Sequence, residues 1–306
     1  MCMKKVLAKS IRGLIVVLSR LPLKFHYLMG DVFAWIAKNI ARYRVDVVWM
    51  NISRAFPYRK YKELKVVADG YYRHLGEIIA ETIWFGGSDY ERLMKQGIVE
   101  VRNPEVLNDI FLKSPSVTAL CSHCGNWEIL GGLLAYMKAG GRDCPITEND
   151  ITVVYKKMAS EVSDMVFAAN RMAPLPGTFP ECEIESKNIL RYSIRNKDVR
   201  KLYIYPADQA PYRGTGRHDM GIFLNQHTYG MTGSVGVACK LSHAVVYMKM
   251  RHVERGRYEM EFIPMCDNAS QHTPDELMKQ YYKLLEEEIN ETPHNWLWSH
   301  NRWKWI

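Results

Sequence analysis

From Val117 onward, short runs rich in β-branched residues alternate with stretches of helical periodicity, and this alternation restricts the fold of the 306-residue chain more than any other feature. The runs are Val117–Cys121, Ile151–Tyr155, Leu202–Tyr205 and Ala244–Met250. Between them, Asn126–Lys138, Ser160–Met172, Ser186–Asn196 and Gly233–Leu241 space their apolar residues as helices do. Strands separated by helices need crossover connections, so the expected fold is α/β, a mostly parallel mixed sheet flanked by helices. Ala244–His252 and Arg257–Ile263, joined through Glu254-Arg255-Gly256, read as an antiparallel hairpin at one end. Thr273-Pro274-Asp275-Glu276 has the order of a capping box with Pro at the first helical position, which starts a helix reaching about Asn290.

The residues before this region read differently. Up to about residue 110 the pattern is helical, with Arg42–Phe56 and Tyr61–Trp84 separated by Pro57. Pro174–Pro180 cannot be regular helix and reads as a loop. Tyr212–Gly230, which holds Arg213, Gly214, Gly216, Arg217 and Gly221, reads either as a substrate-contacting lid or as a solvated loop.

A hydrophobic content of 47% is enough for a substantial core and excludes a disordered chain. Lys and Arg exceed Asp and Glu by 41 to 33, a net charge of +8, which suits an anionic partner. The chain has no zinc-finger spacing, RNP-like stretch or long basic arm, so the expectation is no nucleic acid but an anionic membrane surface or an acidic carrier. Arg191, Arg195, Lys197, Arg200 and Lys201 form the densest basic cluster, with Arg213 and Arg217 beyond it. The seven cysteines make no paired framework, as expected of a reducing compartment. Cys121-Ser122-His123-Cys124 has no second Cys/His pair at ligand spacing, so neither a metal nor a cofactor is expected.

The chemistry concentrates in Ser122-His123-Cys124-Gly125-Asn126-Trp127-Glu128, directly after the first strand. Five residues along an α-helix carry a side chain past one full turn, so His123 and Glu128 can meet only if His123 sits in the bend and Glu128 in the first helical turn. A carboxylate there would fix one imidazole nitrogen and leave the other to take a proton from a hydroxyl. Helix-start N–H groups near Gly125 and Asn126 would be available to an anion.

His123 and Glu128, four residues apart in between, resemble the signature of glycerolipid acyltransferases, and His-x-Gly-Asn-Trp-Glu is similar to the form found in the late acyltransferases of lipid A biosynthesis. Asn51–Pro57 and Tyr71-Tyr72-Arg73-His74-Leu75-Gly76-Glu77 resemble that family's N-terminal helical block. Pro206-Ala207-Asp208-Gln209 resembles its Asp-Gln strand end, and Trp296-Leu297-Trp298-Ser299-His300-Asn301-Arg302-Trp303-Lys304 its Trp-x-His-x-Arg tail. Phe223-Leu224-Asn225-Gln226 departs from the expected Phe-Phe-Gly-like turn.

The resemblance implies a fatty acyl chain delivered as a thioester on acyl carrier protein and attacked by a hydroxyl of a glycolipid acceptor, with His123 as general base and Glu128 as its orienting partner. Arg171 would steady the oxyanion, while Asp208 and Gln209 would bind the acceptor. It also implies a bacterial enzyme at the cytoplasmic face of the inner membrane. Lys4, Lys5, Lys9 and Arg12 precede the short apolar run Gly13–Leu18, and Arg20 and Pro22 interrupt it before the mixed aromatic and basic stretch to Ile40. Too short to span a bilayer, this segment reads as helix lying in one leaflet. Residues 1–40 are thus expected to anchor an acyltransferase domain of residues 41–306, helical over 41–110 and α/β over 111–306. Trp303, Lys304, Trp305 and Ile306 would touch headgroups. An acyltransferase for another polar lipid, a hydrolase and a non-catalytic lipid-binding protein stay open.

Overall fold

The computed structural model describes residues 2–144, 146–212 and 216–304. Arg213, Gly214, Trp305 and Ile306 lie outside the described residues. In chain order the strands are β1 (Val99–Val101), β2 (Ser116–Cys121), β3 (Ile151–Tyr155), β4 (Glu183–Glu185), β5 (Lys201–Pro206), β6 (His218–Phe223), β7 (Gln226–Gly230), β8 (Ala244–Glu254) and β9 (Arg257–Cys266). The α-helices are α1 (Cys2–Ser19), α2 (Leu23–Asn39), α3 (Val45–Ala55), α4 (Tyr61–Phe85), α5 (Tyr90–Gln96), α6 (Glu105–Lys113), α7 (Leu133–Lys138), α8 (Glu161–Arg171), α9 (Ile189–Arg195), α10 (Gly233–Leu241) and α11 (Pro274–Glu291).

Seven strands form one sheet in the order β1-β9-β8-β2-β5-β3-β4. Every neighbouring pair is parallel except β8 with β9, so the mostly parallel mixed sheet read from the alternation is the one observed. Central β2 is buried along its whole length, as a strand covered by helices on both faces must be. The β8/β9 hairpin has β1 outside it, and β1 interrupts the stretch read as helical. Only three residues long, β1 offers too little period-two pattern to register in the sequence. The capping box at Thr273 closes as expected, the hydroxyl accepting from the N–H of Glu276 while the Glu276 carboxylate takes the N–H of Thr273.

From His218 on, the segment Tyr212–Gly230 is a strand pair and not an open lid. Within it β6 and β7 pair antiparallel, turning at Leu224 (φ 51°) and Asn225 (φ 58°). Left-handed conformation at a leucine costs roughly 1–2 kcal/mol. It is held by two tertiary bonds: Leu224 N–H to Glu286 Oε1 (2.8 Å) and Asn225 Nδ2 to the Ala55 carbonyl (2.9 Å). Phe223 packs against Tyr282, Trp296 and Trp303, so the hairpin belongs to the core. For the same reason Trp303 does not face headgroups: it is buried, and its indole N–H donates to Thr228 Oγ1 (2.9 Å).

At the N-terminus, Pro22 stands as cap between α1 and α2, and among the described residues no helix is long and apolar enough to cross a membrane. After Leu23 and His26, the face that α2 turns inward is made of small residues. Gly30 lies so close to Gly76 of α4 that a Cβ on Gly30 would come within 2.5 Å of the Gly76 carbonyl oxygen. Ala34 and Ala37 continue this face, while Phe25, Leu28, Val32, Phe33, Trp35 and Ile36 point outward. A surface helix of a globular protein has the opposite arrangement.

Candidate active site

β2 and β5 are parallel neighbours, and Cys121 pairs with Pro206, so the residues just beyond each strand emerge side by side. These are His123 and Asp208. Carboxyl ends of adjacent parallel strands are where open α/β sheets bind ligands. His123 Nδ1 meets Asp208 Oδ1 at 2.6 Å, and Asp208 Oδ2 accepts from the His123 backbone N–H (3.1 Å) and the Trp296 indole N–H (2.9 Å). Burial alone would raise the Asp208 carboxyl pKa, but His123 and these donors outweigh it and pull the value down to about 2. Burial likewise disfavours the charged His123 ring, yet the charge and hydrogen bond of Asp208, with Glu128 behind them, bring its pKa above the usual histidine value. The other ring nitrogen, Nε2, lies 3.2 Å from Gln209 Nε2, which can donate to its lone pair.

This corrects the expected pairing, for the carboxylate on the imidazole is Asp208 and not Glu128. After Asn126 the chain enters a 3-10 helix, Trp127–Gly132, instead of the α-helix read from the sequence, and only then α7. Gly131 permits it, since a Cβ there would come within 1.8 Å of the Arg171 carbonyl oxygen. With the end of α8 that close, Glu128 takes Arg171 through two bonds, Nε to Oε2 (3.0 Å) and Nη2 to Oε1 (3.1 Å). The Trp127 indole donates to Glu128 Oε1 (3.1 Å), and its ring stands edge-on to His123 at 4.9 Å.

Of the donors expected at the bend, the Gly125 N–H is committed elsewhere. Gly125, at φ +64°, gives its N–H to Asn295 Oδ1 (2.9 Å), and a Cβ there would strike Met250. Buried Asn126 caps the 3-10 helix by accepting from Glu128 N–H (3.2 Å), and its amide donates to Glu81 (2.9 Å). Both residues build the turn. Of the oxyanion candidates, Arg171 is the one that lines the cavity beside His123. Glu183, 3.9 Å from Arg171 Nη1, was not singled out by the sequence; burial lifts its carboxyl to about 7 although Arg171 opposes this.

A cavity of about 270 Å³ opens from this cluster. His123, Glu128, Arg171 and Gln209 stand on its wall, which continues in Leu130, Leu134, Ile151, Val153, Ile204 and Leu175. Lys156 also lines it, with its ammonium 3.0 Å from the Tyr212 ring centroid. The densest basic cluster lies elsewhere. Arg195 ends α9 and Lys201 starts β5, at the opposite end of that strand from Asp208, and Lys201 is buried with Nζ on the Asn149 carbonyl (2.5 Å).

An imidazole braced by a buried carboxylate, next to an apolar cavity and a fixed cation, is the equipment of an enzyme that handles acyl groups. Residues 8–305 match the profile of the family described as bacterial lipid A biosynthesis acyltransferase, and the chain belongs to that family. It is therefore an acyltransferase of a lipid A-type glycolipid acceptor. No curated protein matches the chain in sequence.

Proposed function

We propose that the protein moves a fatty acyl chain from an acyl carrier protein thioester to a hydroxyl of a lipid A precursor at the cytoplasmic face of the bacterial inner membrane. The observation that carries this reading is the His123–Asp208 pair with Nε2 directed away from Asp208, beside the Arg171–Glu128 pair on one apolar cavity. The acyl chain occupies the cavity and the acceptor hydroxyl approaches His123 Nε2. His123 takes the hydroxyl proton as the oxygen attacks the thioester carbonyl, Asp208 holds the imidazolium, and Arg171 faces the developing oxyanion. Glu128 acts by aiming Arg171. Collapse of the tetrahedral intermediate breaks the C–S bond, and the imidazolium returns its proton to the leaving thiolate. Gln209 positions the acceptor at Nε2.

The outward apolar face of α2 supports attachment through residues 1–40, the remainder forming the catalytic domain. Trp35→Glu with Leu28→Glu, both at exposed positions (59% and 61%), should release the protein from anionic vesicles in a flotation assay while leaving its circular dichroism unchanged. Retention of this double variant on vesicles would exclude α2 as the attachment face.

Lys156 and Lys157, exposed after the carboxyl end of β3, are the cations best placed to receive an acidic carrier at the cavity mouth. Transfer from acyl carrier protein should weaken as salt rises, because the Debye length falls to about 8 Å near physiological ionic strength, while transfer from short soluble thioesters should hold. Lys157→Glu should reproduce the salt effect and Arg195→Glu should not. Purified protein given both donors and a lipid A precursor, with products read by mass spectrometry, tests the whole reading. Absence of acylated glycolipid with either donor would overturn it, and an equal salt response for both donors would remove the carrier alone.

A further inference from the structure

Away from the acyl cavity, three buried polar atoms converge with no hydrogen-bond partner among the described residues: His74 Nδ1, Glu77 Oε2 and His252 Nε2. All three lie within 4.8 Å of one another. His74 Nδ1 is 3.6 Å from Glu77 Oε2, beyond hydrogen-bond distance, and His252 Nε2 is 3.2 Å from it without the alignment of a hydrogen bond. Both His74 and Glu77 are at least 96% buried, and they share one face of α4 at i and i+3, while His252 reaches them from β8.

The outer partners decide what these atoms can be. His74 Nε2 faces the Gly125 carbonyl at 3.3 Å, so the neutral ring carries its proton there and presents a bare lone pair at Nδ1. His252 Nδ1 faces His294 Nε2 at 3.2 Å, a contact that lets His252 donate outward and turn a second lone pair inward. Glu77 Oε1 is taken by Arg255 Nε (2.8 Å), whose two terminal nitrogens hold Asp31, leaving Oε2 to the cluster. With His252 donating to His294, three electron-rich atoms face one point in a buried place, which costs free energy unless something positive sits among them.

We propose that His74, Glu77 and His252 form a binding site for a divalent transition metal, with zinc the default occupant. Metal–nitrogen and metal–oxygen bonds of about 2.0–2.2 Å at tetrahedral angles separate ligand atoms by about 3.3 Å, close to the two distances above. Two imidazoles and one carboxylate favour zinc and its first-row neighbours over magnesium or calcium. Gly125, His294 and Arg255 orient the ligands from outside, as partners of metal-bound histidine and carboxylate commonly do. A cleft of about 710 Å³ lined by these residues lies against the cluster. The metal would tie α4 to β8 and, through the His74–Gly125 contact, brace the turn that follows His123, without touching the reacting atoms.

The test uses the full-length protein, stripped with chelator, dialysed and titrated with zinc or cobalt(II). The expected result is one metal ion per chain by mass spectrometric metal analysis, visible d–d absorption of low-coordinate cobalt, and a thermal midpoint raised by zinc. His252→Ala and Glu77→Gln should each weaken zinc binding by about 100-fold or more, while His123→Ala should bind as the parent does. If the stripped parent takes up no zinc or cobalt, or if both variants keep the parental affinity, the proposal fails. Should a variant not fold, competition between zinc and cobalt on the parent decides alone, since displacement of the d–d absorption without loss of ellipticity requires a metal site in the folded chain.

Discussion

Replacing His123 with alanine is expected to lower acyl transfer by about 10²–10⁴-fold, the usual worth of a general base. The fold should survive, because His123 is at the rim of the sheet and its side chain contacts the movable ends of Asp208, Gln209 and Trp127. Turnover should fall with little change in acceptor KM, since the lost group acts on a proton in the transition state. Near-parental turnover in a folded His123→Ala protein would remove the imidazole from the reaction.

Asp208→Asn should come next in size, with a loss of about 10²–10⁴-fold from a misdirected tautomer and an unsupported imidazolium. Its pH profile separates it from Glu128→Gln. In the parent, Asp208 holds the His123 pKa up against burial, so activity falls on the acid side as pH drops through a value raised from that of an ordinary histidine. Without the carboxylate, burial prevails and the acid limb should move to lower pH even as the maximum collapses. Glu128→Gln should chiefly reduce turnover by freeing Arg171, with a smaller movement of the acid limb in the same direction, because Glu128 is a lesser contributor to His123 than Asp208 is. An acid limb unmoved in Asp208→Asn and strongly moved in Glu128→Gln would restore Glu128 as the orienting partner.

That exchange of carboxylates marks the limit of what the sequence could reveal. Strands β2, β3, β5 and β8 and helices α4, α8, α10 and α11 were legible because period and end signals agree at each: Ser160 caps α8, and the Thr273 box starts α11. His123 was legible from its place after a buried strand. Its partner was not, since Asp208 is 85 residues away and reaches His123 only because β2 and β5 pair in one register. Proximity in sequence favoured Glu128. The counter-signal was Gly131, whose missing side chain admits the Arg171 backbone, but glycine in a short helix does not announce what approaches it. Trp296 stood in the tail motif with no sign of such a role, yet its indole is the third donor to Asp208.

Helix α4 has a consequence for which hydroxyl can be acylated. Its Gly76 locks to Gly30 of α2, and one turn further on its Glu81 holds Asn126, which caps the helix carrying Glu128. One rigid rod thus links the apolar outer face to the catalytic bend. Were α2 to lie in a leaflet, as proposed above, the rod would act as a depth gauge: His123 would sit at a fixed height above the acyl chains, and an acceptor would be sorted by how far its oxygen stands out of the bilayer, before any contact with the sugar is made.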